Sequence, residues 1–186
     1  RSSLVGSEMC IRDSIEGVEF LRKKIKNYDG VIAVGSGTVS DSIKYATFLE
    51  KKSYSVFATT PMNAYTTGTA SISFEGIKKS LVAHYAQGVF FDLEVLSMCP
   101  KRLTAAAFAD VICRTTAQVD WLMSHKILKT DYQTAPYSLL ALYEKDMIES
   151  ASLIAKGDIE ALALLTRISA ITVSYTHLRA HETRTH

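Results

Sequence analysis

Between residues 15 and 27 the apolar positions Ile15, Val18, Leu21 and Ile25 return every three or four residues, with Phe20 beside them and lysines on the other side. That period predicts an amphipathic helix covering one face of a sheet. A turn signal at residues 27–30 follows, then the short apolar run 30–34, the form that a buried parallel strand takes. Residues 39–52 are predicted to be helical, with Ile43, Ala46, Phe48 and Leu49 inward, and residues 54–59 to form a second short strand. Helix, strand, glycine loop, helix, strand is the grammar of an open α/β sheet. Residues 59–72 are rich in hydroxyls and turn formers and read as a loop leading into a helix or strand. Residues 88–91 give one more strand, ending at Asp92, which can cap the following turn. Beyond Pro100 the grammar changes. Residues 101–128 hold no glycine or proline, and Ala106, Ala109, Cys113, Ala117 and Trp121 step along one side. Residues 137–156 and 158–173 read as two further helices divided by Gly157. An α/β part therefore precedes an all-helical part, with the join between residues 97 and 101.

Neither end fits this pattern. Residues 1–14 and 174–186 show no periodicity of either kind and resemble translated sequencing-library adapters, so they are expected to lie outside the fold, as an expression tag would. His177 and His181 stand at i, i+4, a spacing that on a helix could bring two imidazoles to one metal. No glutamate accompanies them in an HExxH frame, and their flanks do not promise a stable helix, so no metal site is expected there. The remainder, 15–173, begins and ends abruptly, as a fragment of a longer protein does.

Composition narrows the classes. Of 186 residues, 47% are hydrophobic and 22% charged, enough apolar surface to argue against disorder. With 21 Lys+Arg against 19 Asp+Glu, the net charge of +2 leaves no electrostatic footprint for nucleic acid or an anionic membrane. Cys10, Cys99 and Cys113 have neither paired nor metal-ligand spacing, which disfavours a disulfide scaffold and favours a reducing cytoplasm. No apolar stretch reaches the roughly 18 residues that span a bilayer.

The best-placed chemistry is Gly35-Ser36-Gly37-Thr38, followed by Asp41. Glycines at a strand-to-helix turn admit a ligand close to the backbone, and the helix N-terminus then offers free N–H groups and a positive dipole end to an anion such as a pyrophosphate. The segment is neither a Walker loop nor a full GxGxxG fingerprint, since Ser40 stands where a third glycine would be. A tight structural turn, with Thr38 as N-cap and Asp41 completing a capping box, fits equally well. Thr59-Thr60-Pro61 follows the next strand. Ligands of open α/β sheets gather beyond such strand ends, although a hydroxyl-rich turn satisfying its own backbone is also reasonable there.

Four segments occur in order at sensible distances: GVIAVGSGTVSDSIKYAT, ATTPMNAYTTGTASI, FFDLEVLSMCP and FADVICRTTAQVDWLMSH. Together they resemble the iron-containing alcohol dehydrogenase superfamily, in its glycerol-1-phosphate dehydrogenase branch, over nearly all of 15–173. The resemblance implies an α/β Rossmann-like dinucleotide-binding domain, here residues 15–98, followed by an all-α metal-binding domain, here 99–173. It implies NAD or NADP, a divalent metal (zinc, nickel or iron) and hydride transfer between glycerol 1-phosphate and dihydroxyacetone phosphate in the cytoplasm. A small polyol phosphate is then the substrate, nucleic acid and membrane are not partners, and the full-length protein can form a homo-oligomer.

The same resemblance assigns residues. Gly35, Ser36, Gly37, Thr38 and Asp41 would hold the pyrophosphate and adjoining ribose; Thr59 and Thr60 would line the adenine and phosphate side; Thr67 would lie near the nicotinamide. Lys78 falls at the active cleft, as a catalytic residue on cofactor or substrate phosphate, with a surface lysine as the alternative. Asp110 falls on the metal-binding aspartate, eleven residues before Trp121. A carboxylate in an alanine-rich helix is costly to bury, so either a metal or Arg114 at i+4 has to compensate it. Ala109 departs from the family's glycine, and Asn63 stands where many relatives carry an aspartate able to relay a proton. The family's histidine ligands lie beyond residue 173, and His84, His125, His177 and His181 do not replace them, so the fragment alone is expected to be inactive. Alternatives are a glycerol dehydrogenase or 3-dehydroquinate-synthase-like enzyme of the same fold, or a non-catalytic nucleotide-binding module, to which Asn63 lends weight.

Overall fold

A computed structural model describes residues 13–132 and 134–180, and the chain divides into two units. The first holds the residues up to Thr59 together with Ala64–Asp92; the second holds Thr60–Asn63 and the residues from Leu93 onward.

In the first unit, helix α1 (Ile15–Ile25) starts at Ser14, whose hydroxyl accepts the Gly17 N–H at 3.2 Å. Val18, Leu21 and Ile25 are buried, as their period predicts, while Phe20 stays outside with the Lys24 ammonium 4.7 Å above its ring. Strands β1 (Gly30–Gly35), β2 (Ser53–Ala58) and β5 (Gly88–Phe91) form a parallel sheet in the order β1-β2-β5. Helix α2 (Gly37–Leu49) packs on β1 and β2 and buries Ile43 and Ala46. Helix α1 packs chiefly on α2 rather than on the sheet; a hydrophobic stripe fixes which side is buried, not what buries it. Phe48, expected inward, is exposed on α2.

Where the sequence predicts a loop, the chain makes a 3-10 turn (Ala64–Thr66) and an antiparallel hairpin of β3 (Thr69–Phe74) and β4 (Ile77–Val82). Its two-residue turn, Glu75-Gly76, has φ of 51° and 82°, the doubly left-handed backbone suited to joining twisted strands. β4 is exposed along nearly its whole length, so it carries no apolar alternation to read. Asp13 and Ser14, set aside with the head of the sequence, are tied into this unit: Ser73 N–H donates to Asp13 O at 2.5 Å, and Ser14 bridges Ser73.

In the second unit, every described element from Leu93 onward is a helix. These are α3 (Leu93–Ser97), α4 (Lys101–Ile112), α5 (Arg114–Leu128), α6 (Thr134–Glu149), α7 (Ala151–Lys156) and α8 (Ile159–Ala180). The single 101–128 helix expected from the sequence is broken at Cys113, and the last helix runs on past residue 173. Ala107, Val111, Met147, Ile154, Ala161, Leu162, Leu165 and Ile168 form the core. The side marked by Ala106, Ala109, Cys113 and Ala117 faces solvent; Thr104, Ala107, Val111, Arg114 and Gln118 are buried instead. Gly157 ends α7 in the left-handed conformation, φ 81°, as a helix stop requires. Among the described residues no helix is long and apolar enough to cross a membrane.

Candidate functional site

Strand β1 ends at Gly35 with φ of 156°, and a Cβ there would stand 2.8 Å from Val39 Cγ2. Only glycine lets the strand turn so tightly into the helix. Ser36, not Thr38, is the N-cap of α2, and its side chain makes no capping bond. No acidic residue stands in the first turn either. The leading N–H groups of α2 thus carry no side-chain acceptor, and the dipole adds positive potential at that end. A Cβ at Gly37 would meet only Ala64 Cβ, at 3.7 Å, so the backbone there is uncrowded. Ser40, in the third-glycine position, is buried, and its Oγ has no hydrogen-bond partner. An uncapped, acceptor-free helix start beside an open glycine fits a diphosphate. The loop after β2 is anchored to this turn, because Thr59 N–H donates to Gly35 O at 3.2 Å and the Tyr65 hydroxyl donates to the same oxygen at 3.4 Å.

Asp41 does not stand free for a ribose. One carboxylate oxygen accepts from Lys44 Nζ at 3.2 Å and the other from Ser71 N–H at 3.0 Å, so both are engaged inside the unit. Lys44, absent from the sequence-based assignment, is fully buried and also donates to Ala64 O, Thr69 O and Thr67 Oγ1. The Thr67 hydroxyl, expected near the nicotinamide, belongs to this network. Burial pushes the Asp41 carboxyl above its ordinary range, against the pull of Lys44, the Ser71 N–H and the field of Lys78. Burial likewise pushes the Lys44 ammonium down, against the attraction of Asp41. Nothing in the i, i+3 spacing of Asp41 and Lys44 marks the pair as buried; the burial of residues 40–44 in the structure is what sets it apart from a solvated pair.

Lys78 lies on exposed β4, ion-paired with Asp13. Thr60 and Asp110 belong to the second unit, where Thr60 is buried. Asp110 is not the buried lone carboxylate that its helix suggested. Its side chain is 43% exposed and pairs with buried Arg114, Nη2 to Oδ2 3.4 Å. Cys113 Sγ lies 4.0 Å from Asp110 Oδ1. Among the described residues no group of three or more histidines, cysteines or carboxylates comes together. A catalytic metal keeps about three protein ligands, so these residues do not fit one by themselves. His181 lies outside the described residues.

Residues 5–100 match the model of the family described as iron-containing alcohol dehydrogenase, a stretch that includes the glycine turn and Lys78. The chain belongs to this family. Asp110 falls outside the stretch that matches the iron-containing alcohol dehydrogenase model. Among curated relatives, the chain is 28% identical over 160 residues to a protein of Geobacillus thermodenitrificans named glycerol-1-phosphate dehydrogenase [NAD(P)+], covering 86% of this chain and 40% of that one. To the protein of the same name from Pyrococcus furiosus it is 34% identical over 162 residues, 86% of this chain and 46% of the other. The chain therefore spans less than half the length of these two relatives. The fold is similar to that of sulfoacetaldehyde reductase from Bifidobacterium kashiwanohense in complex with NAD+, with a TM-score of 0.71 at 16% identity, covering 86% of this chain and 48% of that one.

Proposed function

We propose that the chain is part of an NAD(P)-dependent dehydrogenase that interconverts glycerol 1-phosphate and dihydroxyacetone phosphate. On this reading residues 15–98 contribute to its dinucleotide-binding domain and 99–173 to its helical domain. The observation that carries the proposal is the open, uncapped glycine turn within a chain of this family whose relatives bear that activity in their names. The N–H groups at residues 36–38 would bind the cofactor pyrophosphate, with Thr59, whose N–H donates to Gly35 O, on its flank. When bound, the nicotinamide supplies the hydride chemistry. The chain's own work is to place it: Gly35 keeps the turn tight, Gly37 keeps the backbone approachable, and Asp41 supports the site through Lys44 instead of touching the ribose. Lys78 would meet the substrate phosphate only by leaving Asp13.

Ser36→Asp tests this reading. Aspartate is as good an N-cap as serine, so stability is expected to hold or rise by about 0.5 kcal/mol. The same carboxylate would occupy the anion position and repel the pyrophosphate. Titration with NADH and NADPH, followed by nucleotide fluorescence, should show affinity falling at least about tenfold in this variant. Equal binding by the two proteins would place the cofactor elsewhere.

The Asp110–Arg114 pair favours a second reading, in which this chain alone binds the nucleotide without turning over substrate. It differs from the first in the absence of a metal-ligand cluster among the described residues, not in the cofactor turn.

A further inference from the structure

The Lys44 ammonium lies 2.7 Å from Ala64 O, 2.9 Å from Thr69 O, 3.1 Å from Thr67 Oγ1 and 3.2 Å from Asp41 Oδ1. Asp41 alone, on the same helix, would be enough to balance its charge. Three of the four acceptors instead belong to residues 64–69, and the other oxygen of Asp41 holds Ser71 N–H, two residues further on. That segment is also the one that meets the glycine turn: Ala64 Cβ is the neighbour of Gly37, and the Tyr65 hydroxyl donates to Gly35 O. An ammonium has three N–H donors and no acceptor, so it ties several carbonyl and hydroxyl oxygens to one point. A fully buried charge is costly unless its hydrogen bonds are made, and here they are made to the piece of chain whose position the turn depends on.

We propose that Lys44 is a positioning residue for the dinucleotide site, clamping residues 64–69 to α2 so that Ala64 and Tyr65 stand fixed against the glycine turn. The proposal rests on the dinucleotide reading given above. Lys44 itself touches no cofactor; its effect on binding passes through the clamped segment.

The test is NADH titration of the unaltered chain and of Lys44→Met, Thr67→Val and Thr67→Ser, with amide hydrogen exchange followed across the first unit. Lys44→Met strands the Asp41 carboxylate and could fail to fold, so the paired change Asp41→Asn with Lys44→Met, which removes both charges, is measured beside it. Both Lys44 variants are expected to bind NADH at least about tenfold more weakly, and Thr67→Val about threefold more weakly. Thr67→Ser, which keeps the hydroxyl, should bind as the unaltered chain does. Exchange should rise in residues 64–71 while α1 and β1 keep their protection. Binding by the folded paired variant within about twofold of the unaltered chain would overturn the proposal. So would equal weakening by Thr67→Val and Thr67→Ser, or protection lost evenly over the unit, which would make Lys44 a general support of the fold. Absence of NADH and NADPH binding to the unaltered chain overturns the dinucleotide reading itself, a result that no Lys44 variant can produce.

Discussion

The Nε2 of His84 lies 3.0 Å from Thr47 Oγ1, and its ring stacks on Tyr54 with 5.1 Å between centroids and meets Phe48 edge-on. Burial, and then the field of Lys44, lower its pKa below the ordinary 6.5. Between 6.5 and that lower value the unfolded chain binds a proton that the folded chain does not. The stability contributed by neutral His84 is therefore complete above 6.5 and is lost as the pH falls through this window. Urea unfolding at about pH 7.5 and pH 5.5 should show a smaller loss on acidification for His84→Gln than for the unaltered chain. At this scale the sequence was legible where backbone geometry dictates the residue. Gly35 announces a turn because its backbone and the nearness of Val39 leave no room for a side chain. Lys44 was not legible, because a lysine at i+3 from an aspartate reads as an ordinary solvated pair until burial is known. Asp41 misled for the same reason: its position in the motif is visible, but the direction of its carboxylate is set by β3, through Ser71.

Elements were legible in proportion to their periodicity. Helix α1, strands β1, β2 and β5 and the stop at Gly157 lie close to where apolar spacing and turn residues put them. The hairpin was hidden because β4 is exposed, with its apolar residues at the two ends, and a strand without a buried face has no alternation to show. The stripe through α4 and α5 has a different cause. Alanine and cysteine are small enough to suit either side of a helix, so the row Ala106, Ala109, Cys113 marked a face without saying which way it points. Val111 and Ala107, with Leu165 opposite in the same core, identify the buried side. Leu165→Ala, at a position with 0% exposure, is expected to cost about 2–5 kcal/mol through the cavity it leaves. Ala109→Ser, on the exposed side, should stay within about 0.5 kcal/mol. Denaturant unfolding of the two variants measures the difference; a comparable loss in both would reverse the assigned face.

For the molecule as a whole, the near-neutral charge and the change from α/β to helical grammar were readable from composition and pattern, and family membership from four ordered segments. Asp110 was legible only as a choice between a metal and Arg114 at i+4, and in the structure it pairs with Arg114. With Asp110 paired to Arg114 and no cluster of metal-ligating side chains among the described residues, the chain by itself should not oxidise glycerol 1-phosphate in the presence of zinc, nickel or iron. Following NADH formation at 340 nm tests this, and metal-dependent turnover by the chain would mean that a complete donor set exists in it. The contacts of Asp13 and Ser14 bear on how the protein can be cut down for experiment. Trimming to Ile15 would strip the serine that starts the first helix and the aspartate that faces Lys78, so a shortened chain has to keep at least Asp13 and Ser14, and a domain excised by sequence periodicity alone would begin two residues too late.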